Sequence, residues 1–208
     1  MVMCINGSSS VSFSELPVDK IPLALFRDKA TPIEKNTLIT TIPLLPKQFE
    51  ISFDFKPTKW LGGWTNILHM SVSGNSAWGD RIPGIFVYNK KIAIASAIDG
   101  NGNWLFYSLP PTLNEWTHIR ILQRFEKNVF IYRAYMDGFL MREKINTKAE
   151  DFKNVDVWLA DNWHNAQPGF LKNLNISGNI FFKYKLINRV EALAGILVIH
   201  ICKLWSSL

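Results

Sequence analysis

From residue 49 the chain alternates apolar and polar side chains without a break, Phe-Glu-Ile-Ser-Phe-Asp-Phe-Lys. A period of two puts Phe49, Ile51, Phe53 and Phe55 on one face of an extended strand and Glu50, Ser52 and Asp54 on the other. Further β-favouring runs lie at 37–42, 65–72, 85–88, 91–97, 104–109, 140–145, 155–160 and 171–176. The stretch 113–138 reads as a hairpin: Trp116, Ile119 and Ile121 precede the polar break Glu126-Lys127-Asn128, and Val129, Phe130, Ile131, Tyr132 and Tyr135 follow it. Asn89-Lys90, Asp99-Gly100-Asn101-Gly102 and Asp137-Gly138 supply turns between neighbouring runs. Roughly ten to twelve strands with turn signals at short intervals predict an all-β chain whose two antiparallel sheets pack as a sandwich.

The pattern also divides the chain. Residues 1–36 are rich in Ser, Pro and charge, with Pro17, Pro22 and Pro32 breaking any period, and read as a leader or linker. Residues 37–177 carry the sandwich domain; Pro43 and Pro46 interrupt its first run. Residues 178–208 form an apolar C-terminal tail, whose run from Ala192 to Cys202 spans eleven residues. A membrane-spanning helix needs about 20, so the tail reads as a terminal helix packed on the sandwich, a membrane-surface segment, or sequence without an evolved role after a truncated domain.

Composition adds limits. With 208 residues, 48% hydrophobic and 19% charged, the chain suits one globular domain with tails that needs no metal or disulfide to hold a core. Aromatics reach 13%, with eight Trp, which fits a wide aromatic core or rings set on a binding surface. The net charge of +6 is scattered, its densest cluster being Lys183, Lys185 and Arg189. Without a zinc finger, an RNP-type strand or a continuous basic helix, nucleic acid is not an expected partner. Cys4 and Cys202 lack CxxC spacing and pair only if the termini meet. Asn6-Gly7-Ser8 and Asn175-Ile176-Ser177 are glycosylation sequons. No secretory apolar segment follows Met1, which leaves a cytosolic chain or a piece of a longer secreted or membrane-bound protein.

The strand Phe49–Phe55, the later Trp-Thr-His-Ile-Arg-Ile from Trp116, the strand ending in Asp137-Gly138, and the closing Gly-Phe-Leu-Lys-Asn-Leu-Asn-Ile from Gly169 together resemble the concanavalin A-like lectin/glucanase sandwich, in its laminin G-like and pentraxin-like branch. The resemblance spans 37–177. It implies a jelly-roll fold and an extracellular or secreted module, or part of a membrane-protein ectodomain, that binds glycans or protein ligands, in some members through calcium. A cell-adhesion module without sugar affinity is the alternative it leaves open.

The same superfamily holds glycoside hydrolases, whose retaining members resemble one another in a Glu-x-Asp-x-x-Glu strand with two carboxylates about 5 Å apart. That motif is absent: Glu50 and Asp54 share a strand face without a third carboxylate. No nucleophile elbow, His-Glu-x-x-His helix or phosphate-cradling loop is present, so no catalytic residue is assigned. His69 reads as a hydrogen-bonded histidine at the core margin. Ligand-binding expectations rest on two loops, one with Asn75, Trp78, Asp80 and Arg81, the other with Asp161, Asn162, Trp163 and His164. Flat rings suit the C–H face of a sugar and planar polar groups suit paired hydroxyls. The competing reading has Asp80 and Arg81 holding their own loop while Trp78 and Trp163 cap the core. Calcium, if bound, would draw on Asp80 and Asp161, with Asp99 and Asn162 as further oxygens.

Overall fold

The structure, a computed structural model, describes residues 21–26 and 29–178, all within the unit Asp19–Asn179. Among the described residues there is no helix, and fourteen strands run in chain order. They are β1 (Ile21–Phe26), β2 (Thr31–Pro32), β3 (Leu38–Leu45), β4 (Phe49–Pro57), β5 (Thr65–Ser71), β6 (Gly84–Tyr88) and β7 (Lys91–Ile98). The second half is β8 (Asn101–Tyr107), β9 (Thr117–Glu126), β10 (Val129–Met136), β11 (Phe139–Ile145), β12 (Phe152–Trp158), β13 (Asn165–Ala166) and β14 (Gly169–Gly178). One sheet has the order β1-β14-β4-β9-β10-β11, with β2 beside β14; the other has β3-β12-β5-β6-β7-β8, with the short β13 parallel to β5. All other pairings are antiparallel. The fold is the expected all-β jelly-roll sandwich.

Local chemistry explains the topology. Four hairpins turn on two residues with positive φ, namely Asn89-Lys90, Asp99-Gly100, Lys127-Asn128 and Asp137-Gly138. Two left-handed residues give the turn whose twist matches the flanking strands. Ile51, Phe53 and Phe55 of β4 pair with Ile121, Ile119 and Thr117 of β9, and their inner side chains meet Ile67, Leu68, Met70, Ile85, Val87, Ile92 and Ile94 of the facing sheet. Ser96 and Tyr132 join the sheets through a 2.7 Å hydrogen bond within the core. Burial pushes the Tyr132 hydroxyl well above its ordinary range, so it stays a neutral hydroxyl.

The sheets extend past the expected boundaries. β1 pairs with β14 from Ile21 to Phe26, inside the segment read as a leader or linker. Pro22 is accommodated there because β1 is an edge strand. β3 likewise continues through Pro43 to Leu45, since it too lies on an edge. Asn175 lies half-buried on β14, between β1 and β4. Asn6, Cys4, Cys202, the Lys183–Arg189 cluster and the tail beyond Gly178 lie outside the described residues.

Candidate functional site

The two expected loops meet at His69. Its ring is fully buried on β5, with Nε2 2.5 Å from the Asp80 carbonyl oxygen and Nδ1 2.6 Å from Asp161 Oδ2. Both ring nitrogens are thus within hydrogen-bonding distance of an oxygen. The core-margin reading of His69 therefore holds, and the histidine ties one loop to the other.

Asp161 is fully buried and organises its own loop. Its Oδ1 accepts the backbone N–H groups of Trp163 (3.0 Å) and His164 (2.7 Å), and Oδ2 accepts His164 Nδ1 at 2.9 Å. Burial alone would raise the carboxyl, but hydrogen bonds from His164 and His69 outweigh it and hold Asp161 well below the usual carboxylate range. Asp80 does the same for its loop, accepting from Ala77 N–H (2.8 Å), Ser76 N–H (3.1 Å) and the Ser73 hydroxyl (3.1 Å). Burial again opposes and these bonds prevail, so Asp80 also stays below its ordinary range. Gly74 is required here, because a Cβ would stand 2.8 Å from Asp80 Oδ2.

In this arrangement both carboxylates accept from N–H and O–H donors of their own loops and of His69. Among the described residues no group of three or more His, Cys, Asp or Glu is placed to hold a metal. Asp80 and Asp161 are loop fasteners.

What they fasten is a cleft on the outer face of the β3–β8 sheet. Trp64, Arg81, Phe86, Asn103, Leu105 and His164 line an open depression of about 160 Å³. The inner positions of β6 and β7 are Ile85, Val87, Ile92 and Ile94, so Phe86, Ala93 and Ala95 face outward and pack with Leu105. Small residues on β7 and larger ones on either side leave the sheet hollow at this point. The Arg81 guanidinium lies 5.0 Å from the Phe86 ring centre and donates from Nε to the Asn75 carbonyl (2.7 Å), from one terminal nitrogen to Asn75 Oδ1 (3.2 Å) and from the other to Asn103 Oδ1. Burial lowers its affinity for the proton, while Asp161 and Asp80 act in the opposite sense. Each of its contacts is a neutral oxygen, so a half-buried cation is presented at the rim of the cleft.

An aromatic row continues from the cleft. Trp64 is 38% exposed and stacks on Tyr88 at 4.6 Å with 19° between planes; Tyr107 lies 6.3 Å from it. His164 meets the edge of Phe86 at 4.9 Å.

Of the eight expected binding residues, Arg81 and His164 line the cleft and Asn75 holds Arg81. Asp80 and Asp161 are buried supports. Trp163, 43% exposed, lies against His69 at 5.4 Å, and Asn162 is exposed beside it. Trp78 is not among the lining residues: it packs on Phe152 of β12 and its indole N–H donates to Glu150. Sequence reasoning missed Trp64, Phe86, Asn103 and Leu105. The Trp60-Leu-Gly-Gly-Trp64 loop was the visible signal, as a glycine-rich turn carrying two indoles against the start of β5.

No protein-family model matches the sequence, and no curated protein matches it. Solved structures do match in fold. The CBM40 of the Ruminococcus gnavus IT-sialidase, bound to α2,6 sialyllactose, aligns over 80% of this chain and 98% of its own with a TM-score of 0.54 at 13% identity. Domain 4 of AbnA, a GH43 extracellular arabinanase from Geobacillus stearothermophilus in complex with arabinotriose, aligns over 77% of this chain and 93% of its own with a TM-score of 0.50 at 13% identity. The chain shares its jelly-roll fold with these domains. It also aligns over 74% of its length with the receptor binding domain of botulinum neurotoxin D, at a TM-score of 0.50 and 14% identity, and spans 42% of that domain. It spans 37% of the serotype G binding domain. Among the described residues no helix is long and apolar enough to cross a membrane.

Proposed function

We propose that the chain is a non-catalytic recognition module that binds extracellular glycans on the outer face of the β3–β8 sheet, as a laminin G-like member of the concanavalin A-like sandwiches. The observation that carries this reading is the pairing, in one hollow, of the Arg81 guanidinium over Phe86 with the exposed face of Trp64. A ring already stacked on Tyr88 loses little freedom when a sugar covers it, and a fork of N–H donors held by Asn75 and Asn103 is set in advance for oxygens. Support also comes from the fold neighbours, one solved with sialyllactose and another with arabinotriose. Glu50 and Asp54, the two carboxylates on one strand face, are engaged by Arg120 and Arg124 and by His118 and Asn173, which suits a structural role for both.

A glycan array read with and without a calcium chelator tests the proposal, followed by titration of the tightest glycan against Trp64→Ala and Arg81→Lys. Binding that survives chelation and weakens about tenfold in each variant is the expected result, since stacking and a bidentate contact are each worth about 1 kcal/mol or more. An empty array, or binding indifferent to both substitutions, would reject the site.

A further inference from the structure

On the opposite sheet, two lysines share one indole. Lys172 Nζ lies 4.3 Å from the Trp116 ring centre and Lys56 Nζ 5.1 Å from it, with Lys56 also 5.5 Å from the Phe170 ring. Lys56 is opposite Phe170 in the β4–β14 register, so Lys172 is its diagonal neighbour on the same face. Such diagonal positions are about 7–8 Å apart. All four side chains are half-buried. The carboxylate opposite Lys172 is Asp54, and both of its oxygens are taken, one by His118 Nδ1 at 2.7 Å and the other by Asn173 Nδ2 at 2.6 Å. Among the described residues neither lysine has an ion-pair partner, whereas Arg120, Arg124 and Lys144 each have one and Arg133 has two.

Two like charges held against one ring repel each other, and the quadrupole of the indole offsets this only in part. A group with several anionic oxygens placed between them would accept from both ammoniums and remove the repulsion. An ammonium binds a sulfate or phosphate as a compact point charge with rotatable donors, so two of them can close on one such group from different sides. We propose that Lys56, Lys172 and Trp116 form a second binding site that takes a sulfate or phosphate ester carried on a saccharide. The saccharide half of this assignment rests on the glycan reading above; the anion half rests on the lysines alone. The site lies on the sheet face turned away from the Arg81 cleft, so one chain would engage a neutral and a charged part of a glycan on different surfaces.

The full chain, labelled with ¹⁵N, is titrated at low ionic strength with a heparin-derived tetrasaccharide and with its desulfated counterpart, following the Trp116 indole resonance. The sulfated probe should shift that resonance, bind at least about tenfold more weakly in 0.5 M salt, and lose about tenfold in affinity in the Lys56→Gln/Lys172→Gln double variant. A chain that takes the sulfated probe here while the array remains empty of neutral glycans would sink the cleft reading and leave this one standing. Parent-like affinity in a double variant whose melting temperature is unchanged would overturn the proposal, as would equal binding of the desulfated sugar. Binding to phosphatidylserine vesicles with no response to the tetrasaccharide would also overturn it.

Discussion

His69 Nδ1 lies 2.6 Å from Asp161 Oδ2, with both side chains fully buried, and the same imidazole bonds the Asp80 carbonyl. One ring on a core strand thus fixes the spacing of both cleft loops. Removing it takes one donor from the buried Asp161 carboxylate and the donor from the Asp80 carbonyl, which frees the backbone of the Arg81 loop. His69→Ala should therefore cost about 2–5 kcal/mol, since two buried acceptors each lose a donor, measured as a fall in the urea midpoint at pH 7. A loss under 1 kcal/mol would mean that the loops are held by other contacts.

Asp161 makes a second prediction, in pH. Its carboxyl is held below the usual range in the folded chain, against about 3.9 when unfolded. Its contribution is complete above the unfolded value and declines as pH falls toward the folded one, because the unfolded state takes up the proton first. The stability difference between the parent and Asp161→Asn should shrink as pH falls below about pH 4. A difference that grows on acidification would contradict the sign of the shift.

Gly84 gives Phe86 its place under Arg81. A Cβ at 84 would meet Phe86 Cε2 at 2.7 Å and Arg81 Cγ at 3.3 Å. Gly84→Ala should push the ring out of the floor of the cleft, cost about 1–3 kcal/mol by overpacking, and weaken glycan binding more than its modest loss of stability would suggest. Equal affinity for parent and variant would show that Phe86 is not part of the floor.

Trp78 and Trp64 should separate stability from binding. Trp78 is joined to Glu150 and Phe152, so Trp78→Ala should lower stability by about 1–2 kcal/mol and leave affinity unchanged. Trp64→Ala should do the reverse, with its main effect on affinity. Calorimetric melts and titrations of the same two variants check both, and exchanged phenotypes would relocate the site to the Trp78 loop.

Much of the scaffold was readable from the chain. The faultless alternation at Phe49–Phe55 gave β4 and its inner face, and turn residues such as Asn89-Lys90 and Asp137-Gly138 marked hairpins where the structure has them. The cleft was less legible for a physical reason. On β6 and β7 both faces are buried, one under the opposite sheet and the other under Arg81, His164 and the rings around them, so Phe86 and Ala93 read as apolar as Ile85 and Ile92. A period-two pattern cannot tell which face is the outer one when neither is polar. Asp80 and Asp161 stood out as chemistry, but only the fold reveals that their oxygens are already occupied by N–H groups and that their work is to position Arg81 and His164.

Where a bound glycan lies on the chain is the decisive measurement. With saturating amounts of the tightest array glycan, the amide and side-chain shifts of the ¹⁵N-labelled chain should change at Trp64 Nε1, Arg81 Nε, Asn103 and Leu105, on the outer face of the β3–β8 sheet. Changes confined to Trp78, Asn162 and Trp163, with the Arg81 and Trp64 signals unmoved, would contradict the cleft as the binding site.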